Sequence, residues 1–342
     1  MTTAIPSVAP SDPVCTVVAR PIAFDAIPRA TWDGLLARTA RITPFSRWTW
    51  HGAWWDAYGS QASQLYLACE DEAGTVRGIV PLMDKEGSPY FAATYHGDYA
   101  TVLCAADDLP AVSKAAAVAL AGRTVDLRRL RHDDPALQAL ELALGIPREQ
   151  EDVCPVVDIP SETDWEGYLG TLDKKDRHEI RRKIRRAESA GSTRFELVEP
   201  TTEAVETFIR LHDLRWGEAG LFPSTPAGDR TRTFIRTLAR LEAGEGATRQ
   251  LQLGQYQVGD RLIFTTVGFH DQDTCYFYNA GMDPAAKELS PGVTGAAAYL
   301  RYELEHGCRR FDFLRGGESY KYEWGAVDQP IYRLAGTVAA RP

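Results

Sequence analysis

The chain has 342 residues, 44% of them hydrophobic and 10% aromatic, a content that predicts two buried cores and excludes a disordered protein. Its formal net charge of −9 argues against general nucleic-acid binding. No apolar run reaches the roughly 18 residues of a membrane span, and the opening MTTAIPSVAPSDP lacks a basic segment followed by an apolar one, so a soluble, cytoplasmic protein is expected.

Alternation of branched and aromatic residues predicts strands, and apolar spacing of three and four predicts helices. In the first half this gives a strand at 14–20, helices at 29–40 and 46–59, and strands at 64–71, 76–85 and 90–94. A helix at 111–121, a strand at 124–130, a helix at 135–144 and a strand at 153–159 follow. After helical pieces at 164–170 and 173–190, the second half reads as a strand at 194–199, helices at 202–219 and 229–243, and strands at 250–258, 261–270 and 274–282. A helix at 293–306 and strands at 309–314 and 331–338 close the chain. Both halves spell β-α-α-β-β-β-α-β, which predicts an α/β chain built from two copies of one fold. Pro147, Pro155 and Pro160 interrupt the pattern, so the expected domains are 1–160 and 161–342.

Six cysteines, Cys15, Cys69, Cys104, Cys154, Cys275 and Cys308, show no CxxC or Cys/His spacing and read as reduced thiols, with neither a metal site nor a disulfide framework expected. Charge is distributed unevenly. Between Lys174 and Arg194 nine basic side chains face three acidic ones, an excess of six, so the remainder of the chain carries a net of −15. The helix at 173–190, with Lys174, Lys175, Arg181, Arg182 and Arg185, reads either as a solvated face, as packing between the two halves, or as a capture surface for a polyanion such as an acyl carrier protein or tRNA. The richest segment lies near the end, where FDFLRGGESYKYEWGA follows SPGVTGAAAYLRYELEHGCRR. Asp312, Arg315, Glu318, Tyr320 and Lys321 then fall at the end of a strand, where α/β folds place chemistry.

The chain resembles the double-GNAT, Fem-like acyltransferases, in the branch that includes bacterial cellulose- and exopolysaccharide-associated acetyltransferases. The resemblance rests on TPFSRWTWHGAWWDAYG, LYLACEDEAGTVRGIVPLM, HGDYATVL, KKDRHEIRRKIRRAESAG, LHDLRW and, most specifically, SPGVTG through FDFLRGGESYKYEWG. It implies two tandem GNAT-like domains, each a mixed central sheet flanked by helices, the first degenerate and the second holding donor and catalytic groups. It also implies transfer of an acyl group from an activated carrier to an amine. In such a fold two parallel strands splay, here expected to be 274–282 and 309–314, and acyl-CoA lies in the opening with its amides paired to exposed backbone. Ser290, Gly292, Thr294 and Gly295 would offer N–H groups to its pyrophosphate, or form a plain strand-to-helix turn. Lys287-Glu288-Leu289-Ser290 departs from the fuller Gly-rich loop of the family.

Asp312 reads either as the base for the acceptor amine or as a buried carboxylate fixing the following loop. Lys321 reads as a cationic stabiliser of the oxyanion and Tyr320 as a proton donor to the leaving group, the resemblance placing weight on this pair; a surface Lys beside a packed Tyr is the alternative. In the strand at 274–282, alternation sends Tyr276, Tyr278 and Ala280 to one face and Cys275, Phe277 and Asn279 to the other, with Asn279 a ligand for a carbonyl oxygen. His212, Arg215 and Trp216 lie at the end of the helix at 202–219, which the resemblance places at the acceptor cleft; Arg215 reads either as a partner for a carboxylate or phosphate or as a residue satisfying the terminal carbonyls of its helix. Asp98 and Tyr99, beside His96, are expected in the same cleft. The expected reaction is direct attack by the amine, with no covalent enzyme intermediate and no metal. A donor of aminoacyl-tRNA, as in Fem-type enzymes, and an inactive scaffold in surface-polysaccharide assembly are the alternatives.

Overall fold

The computed structural model describes residues 16–340; Cys15 and the first residues of the strand expected at 14–20 lie outside the described residues. The first half runs β1 (Val18–Ile22), α1 (Arg29–Leu36), α2 (Trp48–Tyr58), β2 (Ser63–Gln64), β3 (Tyr66–Glu70), β4 (Val76–Val80), β5 (Leu82–Lys85), β6 (Ser88–Phe91) and β7 (Leu103–Cys104). It continues with α3 (Leu109–Ala119), β8 (Thr124–Arg131), α4 (Pro135–Leu144) and β9 (Arg148–Asp158). The second half runs α5 (Trp165–Thr171), α6 (Lys174–Ala190), β10 (Thr193–Val198), α7 (Thr202–Trp216), α8 (Pro226–Ala243), β11 (Leu251–Val258) and β12 (Arg261–Asp271). Then come β13 (Thr274–Met282), α9 (Pro291–Glu305), β14 (Arg310–Asp312), α10 (Ser319–Tyr322) and β15 (Val327–Thr337).

Local chemistry sets these boundaries. Thr201 caps α7 by accepting the Ala204 N–H at 3.2 Å, and Pro226 opens α8 where its missing N–H costs nothing. Asp134 accepts the Ala136 N–H at 2.8 Å to start α4, and Gly145, at φ 68°, ends it. The single strand expected at 76–85 is two strands, because Pro81 has no N–H for a ladder. The chain bends there, β4 staying with β1, β3 and β7 while β5 joins β2 and β6.

The third sheet is the frame of the molecule: eight strands in the order β10-β11-β12-β13-β14-β9-β15-β8. It continues across the division expected at residue 160. β9 of the first half pairs with β14, and the last strand, β15, inserts between β9 and β8. The α2 and α8 helices meet over a shared core, where Trp50 packs edge-on to Phe234 at 4.9 Å. Beside them Tyr58 links His96 Nε2 at 2.6 Å to Thr231 Oγ1 at 2.8 Å, and His96 stacks on Phe234 at 5.0 Å. Among the described residues no helix is long and apolar enough to cross a membrane, and the five cysteines are buried and unpaired.

Burial lowers the His96 pKa from its ordinary 6.5 to about 4 and that of His51 to about 3. Below pH 6.5 the unfolded chain therefore binds protons that the folded chain refuses. Stability is predicted to fall between pH 6.5 and 4, each such histidine contributing up to about 1.4 kcal/mol per pH unit. In urea titrations across that range, His96→Gln should show a shallower decline than the parent; an unchanged slope would contradict the burial argument.

Candidate active site

Among the described residues one pair of neighbouring strands in the frame runs parallel, β13 against β14, and the pairing lasts three residues: Thr274 with Arg310, Cys275 with Phe311 and Tyr276 with Asp312. Two local features then force the strands apart. On β13 the register with β12 shifts so that Phe277 faces Gly268 and Asn279 faces Val267, leaving Tyr278 as an extra, bulged residue. On the other side β14 stops because Leu314 turns left-handed, at φ 58°. The opening is a cleft of about 940 Å³. One lip is Phe277, Tyr278, Asn279 and Ala280, and the other is Phe313, Leu314 and Arg315; the end of α7 and the start of α9 close its wings. The alternation expected for β13 holds from Cys275 to Tyr278, with Tyr276 and Tyr278 against one core and Cys275 and Phe277 in the other; beyond the bulge it is corrected, Ala280 packing on the side of Phe277.

Lys321 secures the second lip. Its side chain is 3% exposed, and Nζ donates to the carbonyl oxygens of Leu314 (3.0 Å), Arg315 (2.9 Å) and Gly316 (2.8 Å) while lying 2.8 Å from Glu318 Oε2. Its three N–H bonds are committed to these groups, so the role of oxyanion stabiliser expected from the sequence is corrected to that of a clamp on the loop. Tyr320, next to it, lines the cleft and is 41% exposed. Burial first, then the neighbouring Glu318 carboxylate, push its phenol up to about 12, so it keeps its proton at neutral pH.

Asp312 is not on the cleft. It is 1% exposed, Oδ2 accepts from the Tyr99 hydroxyl at 2.8 Å, and Oδ1 accepts the Leu314 N–H at 2.8 Å. Burial raises its pKa against the hydrogen bond from Tyr99 and the charge of Arg131. Of the two readings of this residue, the geometry matches the buried carboxylate that fixes the loop; the catalytic-base assignment is corrected because no substrate reaches its oxygens. Tyr99 is corrected with it, since this 4% exposed residue braces Asp312 from the first half beneath the cleft floor. Asp98 does reach the cleft, accepting from Arg315 Nε at 3.0 Å.

At the α9 wing Ser290 and Gly292 line the cleft, with Ser290 left-handed at φ 52°. Thr294 and Gly295 do not. Thr294 is 1% exposed, with Oγ1 against the Leu289 and Ser290 carbonyls, and a Cβ on Gly295 would lie 2.2 Å from the Phe264 ring. Gly295 therefore serves close packing of α9 on β12, which corrects both residues as donor ligands. The N–H groups of Val293 and Thr294 are taken by the Ser290 carbonyl, and Pro291 has none. Gly292 retains an uncommitted first-turn N–H. Asn279 lines the cleft; its Oδ1 accepts the Ala280 N–H at 2.8 Å, leaving its NH2 to donate.

At the α7 wing Arg215 stacks 4.5 Å from the Trp216 ring and forms no ion pair among the described residues. His212, on the same helix end, lines the cleft beside them. Along α6, Glu179 pairs with Arg182 and Lys183, and Arg181 pairs with Glu166. Lys174, Lys175 and Arg185 stay exposed without ion pairs among the described residues, and Arg186 reaches the Glu288 carbonyl at 3.0 Å, just before α9. The described residues contain no cluster of three His, Cys, Asp or Glu arranged to hold a metal.

Residues 174–322, which include β10 through β14, match the model of the acetyltransferase (GNAT) domain. The second half of the chain is therefore similar to a GNAT domain. Three solved structures extend the likeness over the chain. FemX is 12% identical with a TM-score of 0.60, over 90% of this chain and 96% of its own. L-PGS from Bacillus licheniformis is 13% identical with a TM-score of 0.60, over 90% and 92%. The tandem GNAT protein from the clavulanic acid biosynthesis pathway is 13% identical with a TM-score of 0.50, over 95% and 99%. The whole chain thus has the double-GNAT, Fem-like fold. No curated protein sequence matches the chain.

In this half of the chain the Lys321 clamp is predicted to be indispensable. Lys321→Met strips one buried charge from its carbonyl and carboxylate partners and should cost about 3 kcal/mol or more. Lys321→Arg should not restore the loss, because a planar guanidinium cannot meet three convergent carbonyls. Urea midpoints of the three proteins check both statements.

Proposed function

We propose that this protein transfers an acyl group from an acyl thioester, acyl-CoA or an acyl carrier, to an amine by direct attack. The observation that carries the reading is the splayed β13–β14 pair, whose unpaired β13 edge borders a cleft of about 940 Å³. A pantetheine arm lying there adds to β13 as a strand would, by backbone amide pairing. Gly292 N–H and the exposed Lys287 meet the donor's anionic end at the α9 wing. Asn279 offers an amide donor to the thioester carbonyl.

The acceptor enters at the α7 wing, where Asp98 and Glu318 attract an ammonium and Arg215, Trp216 and Arg315 complete the wall. The ammonium gives one proton to the cleft water, the amine forms a C–N bond at the carbonyl carbon, the C–S bond then breaks, and the surplus proton on nitrogen passes to the departing thiolate, leaving amide and thiol. The five described cysteines are buried, which disfavours a covalent acyl-enzyme on any of them. Tyr320→Phe is expected to lower turnover by about 100-fold if its phenol assists departure of the leaving group.

A second reading, an aminoacyl-tRNA donor, has specific support. The α9 start offers few free N–H groups to a pyrophosphate, the α6 helix brings unpaired cations beside it, and a phenol held near 12 suits an alkoxide leaving group better than a thiolate, whose thiol has a pKa of about 8.5. Fluorescence anisotropy of labelled coenzyme A, with charged tRNA as competitor, separates the two. The main reading predicts saturable coenzyme A binding that tRNA does not displace. Absence of that binding, together with salt-sensitive tRNA binding that collapses in the Lys174→Glu, Lys175→Glu, Arg185→Glu variant, would replace it with the second.

A further inference from the structure

His212 is a buried polar side chain in the cleft wall with no hydrogen-bond partner among the described residues. It is 2% exposed, and its Nδ1 is fully enclosed. The enclosure is built by close approach on both sides. A Cβ on Gly281 of β13 would lie 2.5 Å from the His212 backbone nitrogen, and a Cβ on Gly220 would lie 2.5 Å from Cε1 and 3.1 Å from Nδ1. Phe222 meets the ring edge-on at 5.0 Å, and Phe208 lies 5.9 Å away. These groups offer Nδ1 neither a donor nor an acceptor. Nε2 is the ring nitrogen that escapes enclosure, on a residue that lines the cleft.

The two neutral tautomers are unequal in this box. A proton on Nδ1 would bury an N–H donor with nothing to accept it, an arrangement folded proteins rarely keep. A proton on Nε2 puts the donor on the ring nitrogen that is not enclosed and leaves only an unused lone pair on Nδ1. Burial also lowers the imidazole pKa to about 4, so Nε2 is a poor base for an ammonium at neutral pH and a good neutral donor.

We propose that His212 is a specificity residue for the acceptor, donating Nε2–H to a carbonyl or hydroxyl oxygen of the amine substrate bound between α7 and β13. The inference rests on the reading of the α7 wing as the acceptor side. It adds to the substrate class a second requirement besides the amine: an uncharged oxygen on the same molecule. A site built around a donor discriminates strongly, since an acceptor lacking that oxygen leaves Nε2–H desolvated and unpaired.

Two measurements on the full chain test it. Nitrogen NMR of the 15N-histidine-labelled protein, with His212→Gln to assign the signal, should show His212 neutral and protonated on Nε2 at pH 7. A protonated Nδ1, or an imidazolium, would overturn the proposal. With acetyl-CoA as donor, a panel of hydroxylated and carbonyl-bearing amines should contain substrates. For the amine turned over fastest, His212→Phe should raise KM at least about 10-fold with the acetyl-CoA KM unchanged, and His212→Gln, whose amide N–H can stand in for Nε2–H, should recover most of it. Turnover indifferent to His212→Phe, or a rise confined to the acetyl-CoA KM, would sink this inference alone. Failure of every amine would sink the transfer reading, and this inference with it.

Discussion

The cleft exists because one lip of a sheet is held where backbone pairing would otherwise close it. Sheet strands gain from every ladder hydrogen bond, so two adjacent parallel strands tend to continue pairing. Here β14 is ended by the left-handed Leu314, and the loop that follows is gathered by the Lys321 ammonium onto three carbonyls. A buried charge with four oxygen partners is tolerable in the interior only when the geometry is fully satisfied, so the loop has one arrangement. The bulge at Tyr278 supplies the matching deformation on the opposite lip. An unpaired strand edge facing a cleft follows from these two devices together.

The first half contributes to this arrangement without lining much of the cleft. Tyr99 holds the carboxylate of Asp312, the last residue of β14 before the turn, and Asp98 holds Arg315 on the loop beyond it. Arg131, 5.0 Å from the Tyr99 ring, carries the same brace back into β8. Because β9 pairs with β14 on its far side and β15 locks β9 to β8, the two halves form one sheet across the functional region. The first half thus serves as a rigid support for the lip carried by the second.

Much of the fold was legible because its signals are local. Periodicity placed α4 at its observed limits, the order of the second half, and the two strands that splay. The short run around Pro81 misled because a proline break that redirects a strand into another sheet leaves alternation intact on both sides. The site was less legible. GGESYK announced a functional loop, but whether the Lys321 amine faces substrate or carbonyls depends on how the loop curls, which no spacing encodes. Asp312 is similar: its partner Tyr99 is 213 residues away in sequence. The bulge that moves Ala280 to the side of Phe277 depends on register with β12, and His212 acquires its significance from Gly220 and Gly281, which look like ordinary loop and strand glycines in the sequence.

Hydrogen–deuterium exchange with and without saturating coenzyme A tests the central claim most directly, that the β13 edge is a receptor for an extended donor. Amide exchange should slow over residues 277–282 and 313–316, the two lips, with the edge strand β10 unaffected. Coenzyme A binding that leaves those amides exchanging at their original rate would contradict it, and would place the donor somewhere other than between the splayed strands.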